Sequence, residues 1–349
     1  MSADVLGTGA VPAATPDGAL LQVQDLQVEF RTRDGVAKAV NGVSFDVHAG
    51  RTLAVLGESG SGKSVTAQAV MGIVDSPPGF VTGGRVLFEG TDLLQLPTKE
   101  MQRYRGERIA MIFQDALSAL NPVYSVGFQI AEMFRVHRGA SRKEGMAKAL
   151  ELMERVRIPA AKDRLKNYPH QFSGGMRQRI MIAIALALDP QVLIADEPTT
   201  ALDVTVQAQI MELLAELQRE SGMGLILIAH DLGVVADVAD DIVVMYAGKV
   251  VERAPVADIY ADPAHPYTEG LLASIPRLDR KGLDLAAIPG LPPNLTRIPS
   301  GCPFHPRCPY RRDEPCTTEE PPLYEVAPGR TSACHFWEDV VGGDHRAKW

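Results

Sequence analysis

Cysteine is absent from the first 301 residues of this 349-residue chain; all four, Cys302, Cys308, Cys316 and Cys334, crowd into its final stretch. Long apolar runs are missing too. The longest near the middle, residues 180–188, falls far short of the ~20 residues a helix needs to cross a bilayer. No positive region followed by an apolar core opens the chain, so no secretory signal is expected. A cytosolic location follows, with any membrane attachment supplied by another subunit. Basic excess is likewise lacking: the net charge is −8, which argues against a nucleic-acid partner and provides no polybasic lipid anchor. The totals that remain, 46% apolar and 22% charged residues, are those of an ordinary globular protein with room for two domains or one large domain and an appendage. Residues 1–19, rich in Ala, Gly, Pro and Thr, read as a disordered tail.

What is present is organised around Gly57-Glu58-Ser59-Gly60-Ser61-Gly62-Lys63-Ser64. It fits G-x-x-x-x-G-K-[ST], a phosphate-binding loop, and lies between an apolar run at 52–56 that reads as a strand and a helical stretch at 65–71. Gly57, Gly60 and Gly62 let successive backbone N–H groups face one point, and the helix N-terminus adds partial positive charge there. Lys63 is then expected at the β- and γ-phosphates, and the Ser64 hydroxyl at Mg²⁺.

The flanking segments place further candidates. Residues 21–30 alternate as a half-buried strand with one slip, and 40–47 read as its hairpin partner after the Asp34-Gly35 turn. Phe30 either stacks on an adenine or is an ordinary core aromatic; spacing does not choose. A strand at 84–89, a polar helix at 99–105 and a strand at 109–113 ending at Gln114 come next. Residues 115–170 then change character, with amphipathic helices near 126–137 and 142–156, and read as a helical insert in an α/β domain. Ser173-Gly174-Gly175 opens an apolar helix and repeats the anion-cradle logic, though such turns are commonly just helix starts. A buried strand at 191–195 ends in Asp196-Glu197, where an Asp can hold Mg²⁺ and the adjacent Glu can act as general base. Asp203 begins the next helix. A strand at 225–229 ends at His230, beside the expected ligand crevice and in reach of a γ-phosphate.

Taken in order, these residues resemble the nucleotide-binding subunits of ATP-binding cassette transporters, over residues 20–255. The resemblance implies a P-loop NTPase fold of the α/β class: a RecA-like core, an antiparallel β subdomain and a helical subdomain at about 115–172. Gly57, Ser59, Gly60, Ser61, Gly62, Lys63 and Ser64 match the Walker A loop and Gln114 the Q-loop. Ser173, Gly174 and Gly175 match the signature loop, with Met176 where the family has Gln. Asp196 and Glu197 match the Walker B aspartate and catalytic glutamate, Asp203 the D-loop and His230 the switch histidine. Phe30 falls at the adenine-stacking position. In such proteins ATP and Mg²⁺ are sandwiched between two cassettes in a head-to-tail dimer, Glu197 orients the attacking water, His230 contacts the γ-phosphate, and Gln114 senses Mg²⁺. The helical insert docks the membrane subunits.

Beyond residue 255 proline rises and the cysteines appear, with five, seven and seventeen residues between them. That spacing does not fit a C-x-x-C ribbon, and four thiolates suit either Zn²⁺ or a [4Fe–4S] cluster. The stretch 256–349 resembles the C-terminal extension of the oligopeptide/dipeptide importer ATPases, through His265-Pro266-Tyr267-Thr268, Ile288-Pro289-Gly290 and Cys302-Pro303-Phe304-His305-Pro306-Arg307-Cys308-Pro309. That resemblance implies a [4Fe–4S] cluster on the four cysteines in preference to zinc. Its expected role is to staple a tail that has little apolar content, leaving nucleotide affinity of the cassette nearly independent of it. It also implies an ATPase driving peptide import with two transmembrane permease subunits, a second cassette, usually a paralogue, and an extracytoplasmic substrate-binding protein, at the cytoplasmic face of the plasma membrane. A nickel importer of the same subfamily is the near alternative; a soluble cassette acting on nucleic acid or ribosomes is the distant one.

Overall fold

The computed structural model describes residues 18–200, 202–230, 232–275 and 287–343; the tail expected at 1–19 lies almost wholly outside them. Strand β1 (Ala19–Thr32) pairs antiparallel with β2 (Gly35–His48), and their register shifts between Val23 and Leu26. That bulge is the slip in the sequence alternation. It restores Leu26 and Val28 to the buried face already occupied by Leu21 and Val23. β4 (Gly79–Phe88) and β5 (Thr91–Asp92) complete a four-stranded sheet in the order β2-β1-β4-β5.

The larger sheet is built on β3 (Thr52–Leu56), whose five residues are all buried, as a strand covered on both faces requires. The helix after it, α1 (Lys63–Val70), opens directly from the phosphate loop. The chain continues through α2 (Thr98–Tyr104) and β6 (Ile109–Ile112). It then enters the helical insert: α3 (Ala116–Ala119), α4 (Val126–Arg138), α5 (Arg142–Arg155) and α6 (Ala161–Arg164). Ser125 caps α4 and Gly139 ends it in the left-handed region, while Ser141 and Glu144 form a reciprocal capping box on α5. These caps bound the two amphipathic helices expected near 126–137 and 142–156.

After α7 (Gly174–Ala185) come β7 (Val192–Asp196), α8 (Val204–Ser221), β8 (Gly224–Ala229) and α9 (Leu232–Val235). The hairpin of β9 (Asp241–Tyr246) and β10 (Lys249–Pro255) follows, which the sequence reading did not identify. β3 runs parallel to both β8 and β9, and β6, β7 and β8 continue the parallel array. One buried cluster, with Leu193, Leu214 and Leu227, covers one face of this sheet; another, with Val55, Ile194 and Ile228, joins the opposite face to the antiparallel sheet.

The extension is not a separable appendage. After α10 (Val256–Ala261) and α11 (Pro266–Ala273), its strands β11 (Tyr324–Ala327) and β12 (Arg330–Ser332) add to the main sheet, and α12 (Trp337–Val340) lies close to the end of the described chain. The sheet order is β11-β12-β10-β9-β3-β8-β7-β6, with Glu252 opposite Ser332. An aromatic group replaces the apolar core the tail lacks: Phe304, 1% exposed, meets Tyr246 at 5.2 Å and Tyr267 at 5.4 Å between centroids.

Candidate functional site

The phosphate loop is shaped by its glycines, two of which leave no room for a side chain. Gly57, Gly60 and Gly62 have φ of 149°, 81° and 104°, a region L side chains rarely enter. A Cβ on Gly57 would lie 2.3 Å from the Met245 carbonyl oxygen, and one on Gly62 2.2 Å from that of Ala39. The loop is therefore held against both sheets: Gly248 N donates to the Ser61 carbonyl at 2.9 Å, and Asn41 N to the Gly248 carbonyl at 2.8 Å. Lys63 is buried, and its Nζ donates to the carbonyls of Gly57 at 2.7 Å and Glu58 at 3.0 Å. Burial lowers its pKa, against the pull of Glu197 and Asp196. Ser61 Oγ is buried without a hydrogen-bond partner and Ser59 lies in the same turn, so the cradle offers hydroxyl and backbone donors suited to phosphate oxygens.

Opposite stand the strand ends. Ser64 Oγ donates to Asp196 Oδ1 at 2.9 Å, a pair of hard oxygen donors that fits Mg²⁺. Burial raises the Asp196 pKa, with the Ser64 bond acting the other way. Three side chains converge on Glu197 Oε2: the Gln114 amide donates at 2.8 Å, Thr200 Oγ1 donates at 2.9 Å, and His230 Nδ1 lies at 3.5 Å. Glu197 has φ of 44°, an uncommon conformation for a non-glycine residue and one that clusters at functional sites. The C-terminal ends of β6, β7 and β8 thus bring Gln114, Asp196, Glu197 and His230 together next to Lys63 and Ser64.

The remaining sequence candidates lie elsewhere. Ser173 caps α7, its Oγ accepting from Met176 N at 3.4 Å, and Ser173 and Gly174 are exposed. Gly175 packs so closely that a Cβ would lie 2.6 Å from Val206. Asp203 caps α8 through a 3.0 Å bond from Val206 N. Among the described residues no hydrogen bond joins these groups to the phosphate loop. Phe30 is half-buried on β1, with its ring edge 3.0 Å from where a Cβ on Gly79 would stand.

The four cysteines line one small cavity with His265, Phe304 and His305. Burial pushes the thiol pKa of Cys302 up to about 11 and of Cys334 up to about 12, and that of Cys308 up as well. Yet among the described residues no group of three or more His, Cys, Asp or Glu side chains is placed to hold a metal ion. The expectation of a metal site is not met there. A single tetrahedral ion with bonds of ~2.3 Å would draw its sulfurs to within about 3.8 Å of one another, so the side chains as they stand do not form a zinc site.

Sequence reasoning missed a group on the loop itself. Arg307, on the 3₁₀ turn His305–Arg307 between two of the cysteines, donates to both carboxylate oxygens of Glu58, at 2.6 and 2.9 Å. Tyr267 Oη accepts from Glu58 N at 2.7 Å. Both residues sit in the stretches that carried the subfamily resemblance, which was the one available signal. Glu252, fully buried, was missed too: it accepts from Ala264 N at 2.7 Å and His265 N at 3.0 Å, and burial raises its pKa to about 7.

A nest of backbone donors with a lysine, facing a Ser–Asp pair and a glutamate held by Gln and His, defines a P-loop nucleotide hydrolase. The ABC transporter family profile matches residues 40–200. Among solved structures, a dimeric ATP-binding cassette in a post-hydrolysis state, bound to ADP and Pi, superposes with a TM-score of 0.61 at 26% identity, covering 68% of this chain and 98% of that one. The chain belongs to the ATP-binding cassette family and is an ATPase. The profile of the oligopeptide/dipeptide transporter C-terminal region matches residues 251–316. The oligopeptide transport ATP-binding protein OppD of Salmonella typhimurium is 50% identical over 94% of this chain and 97% of its own. The dipeptide transport ATP-binding protein DppD of Bacillus subtilis is 54% identical over 84% and 87%. No described helix is long and apolar enough to cross a membrane.

Proposed function

We propose that this chain is the ATP-hydrolysing subunit of an importer of di- or oligopeptides, peripheral on the cytoplasmic face of the plasma membrane. Two permease subunits, a second, paralogous cassette and an extracytoplasmic substrate-binding protein complete the assembly. The observation that carries it is the convergence of Gln114, Thr200 and His230 on Glu197 beside the Ser64–Asp196 pair, in a chain 50% identical to an oligopeptide transport subunit over nearly its full length. The relatives above are oligopeptide and dipeptide subunits, which favours peptides over nickel.

In this reading Lys63 and the loop amides bind the phosphates, and Ser64 and Asp196 would hold Mg²⁺, with Gln114 near it. When bound, the ion would neutralise negative charge on the phosphates during transfer. Glu197 orients and deprotonates the attacking water, and His230 contacts the γ-phosphate. Phe30 stacks on the adenine. Exposed Ser173, Gly174 and Asp203, with half-buried Gly175, serve the nucleotide of the partner cassette in a head-to-tail dimer, which is why they lie apart from this chain's own loop. Residues 20–255 form the cassette, with 115–172 as the permease-docking insert, and 256–349 the extension. A [4Fe–4S] cluster in the cysteine cavity is proposed on the resemblance of the extension to the oligopeptide/dipeptide transporter C-terminal region, and four thiols lining one cavity are what supports it.

Deleting the chain in its source cell tests the transport reading. Uptake of labelled tri- or tetrapeptides should be lost, restored by the native chain and not by Glu197→Gln; unchanged peptide uptake with lost nickel uptake would overturn it. Iron and sulfide at about four each per anaerobically purified chain are expected of the cluster; stoichiometric zinc, or no metal, would remove it.

A further inference from the structure

Glu58 occupies a free position of the phosphate-loop motif, yet three groups hold it. Lys63 Nζ donates to its carbonyl, Tyr267 Oη accepts from its backbone N–H at 2.7 Å, and the Arg307 guanidinium grips its carboxylate with both terminal nitrogens, at 2.6 and 2.9 Å. The last two come from the C-terminal extension. Arg307 is itself fixed from behind: its Nε donates to the Pro289 carbonyl at 2.9 Å and Nη1 reaches Tyr246 Oη at 3.4 Å. Its side chain is 4% exposed, against 26% for Glu58. A planar fork seated this way imposes orientation as well as charge, which a lysine could not do. Tyr246, Tyr267 and Phe304 pack on one another beneath it. The grip therefore reaches from the extension, through the end of β9, to the first turn of the loop.

That first turn is where help is needed. Gly57, Gly60 and Gly62 all hold positive φ, so the loop has much conformational freedom to lose when it closes on phosphate. A contact that fixes its shape beforehand removes part of that cost from binding.

We propose that Arg307 is a positioning residue for nucleotide binding: through Glu58 it holds the phosphate loop in the shape that presents its amides and Lys63 to the phosphates. The inference rests on reading the loop as the nucleotide site. A loop that grips phosphate alike in ground and transition states contributes to KM more than to kcat.

The test uses the full-length chain and the Mg²⁺ complex of a non-hydrolysable ATP analogue, with calorimetric Kd and steady-state ATPase kinetics. Arg307→Met and Glu58→Ala should each weaken binding at least fivefold, with Arg307→Lys between them and the native chain. The double variant should bind within twofold of the weaker single, since one contact is lost in each case. KM should rise with Kd while kcat changes less. Thermal unfolding is followed in parallel. Glu58→Ala, at the more exposed end of the pair, keeps the question open to measurement should Arg307→Met fail to fold. Kd within twofold of native for Glu58→Ala, or losses that multiply in the double variant, would overturn the positioning role. Lys63→Ala separates the two readings. If it abolishes binding while Glu58→Ala does not weaken it, the site stands and the role of Arg307 falls. If it binds as the native chain does, the site reading falls and takes the proposal with it.

Discussion

The Gln114 side-chain amide donates to Glu197 Oε2 at 2.8 Å, tying the segment that enters the helical insert to the carboxylate that ends β7. A displacement of the insert is thereby felt at the group proposed to activate water.

Glu197→Gln should keep nucleotide affinity within a few-fold and lose at least ~100-fold in kcat, the lower range for removal of a general base. Calorimetric Kd reads the first effect and phosphate-release kinetics the second, and gel filtration with ATP should show an accumulated dimer. Turnover within tenfold of native would take the base role from Glu197.

Gly62→Ala tests the loop's geometry. The added Cβ would lie 2.2 Å from the Ala39 carbonyl oxygen at a φ of 104°, so the backbone must move. A loss of ATP binding is expected, with a fall in stability of about 1–3 kcal/mol from strain, measured by denaturant titration. Native binding would show that the nest tolerates another shape.

Glu252 makes stability depend on pH. Burial raises its pKa from 4.5 to about 7, outweighing the bonds from the Ala264 and His265 amides and nearby Arg330. The folded state then holds the proton more tightly than the unfolded one. This contribution is fully present below about pH 4.5 and is lost as pH rises through about 7. Glu252→Gln should flatten the slope of unfolding free energy between pH 5 and 8; an unchanged slope would remove Glu252 as its source.

Phe304→Ala should cost about 3–5 kcal/mol, as for other buried aromatics. Because β12 pairs with β10 inside the main sheet, extension and cassette should still unfold in one transition. Two resolved transitions in the calorimeter would show the extension to be an independent unit after all.

Local signals gave much of this away. The bulged alternation of β1, the Ser125 and Ser141 caps and the motif glycines act over a few residues, so their spacing is their structure. Asp196-Glu197 and His230 were legible for a related reason: an apolar strand of five or six residues announces where its C-terminal end falls, and parallel strands gather those ends on one edge. Less visible was the β9–β10 hairpin.

What the sequence by itself determined was the nucleotide hydrolase: the loop, its strand and its helix follow from backbone preferences of adjacent residues. Only the tertiary structure decided that the extension belongs to that site. Arg307 and Glu58 stand 249 residues apart, and no periodicity or propensity encodes such a pairing. It exists because β12 completes the sheet beside β10, and because Phe304, Tyr246 and Tyr267 bury one another where the extension lacks an apolar core of its own. Long-range pairing and packing, rather than local chemistry, put a guanidinium from the extension on the phosphate loop.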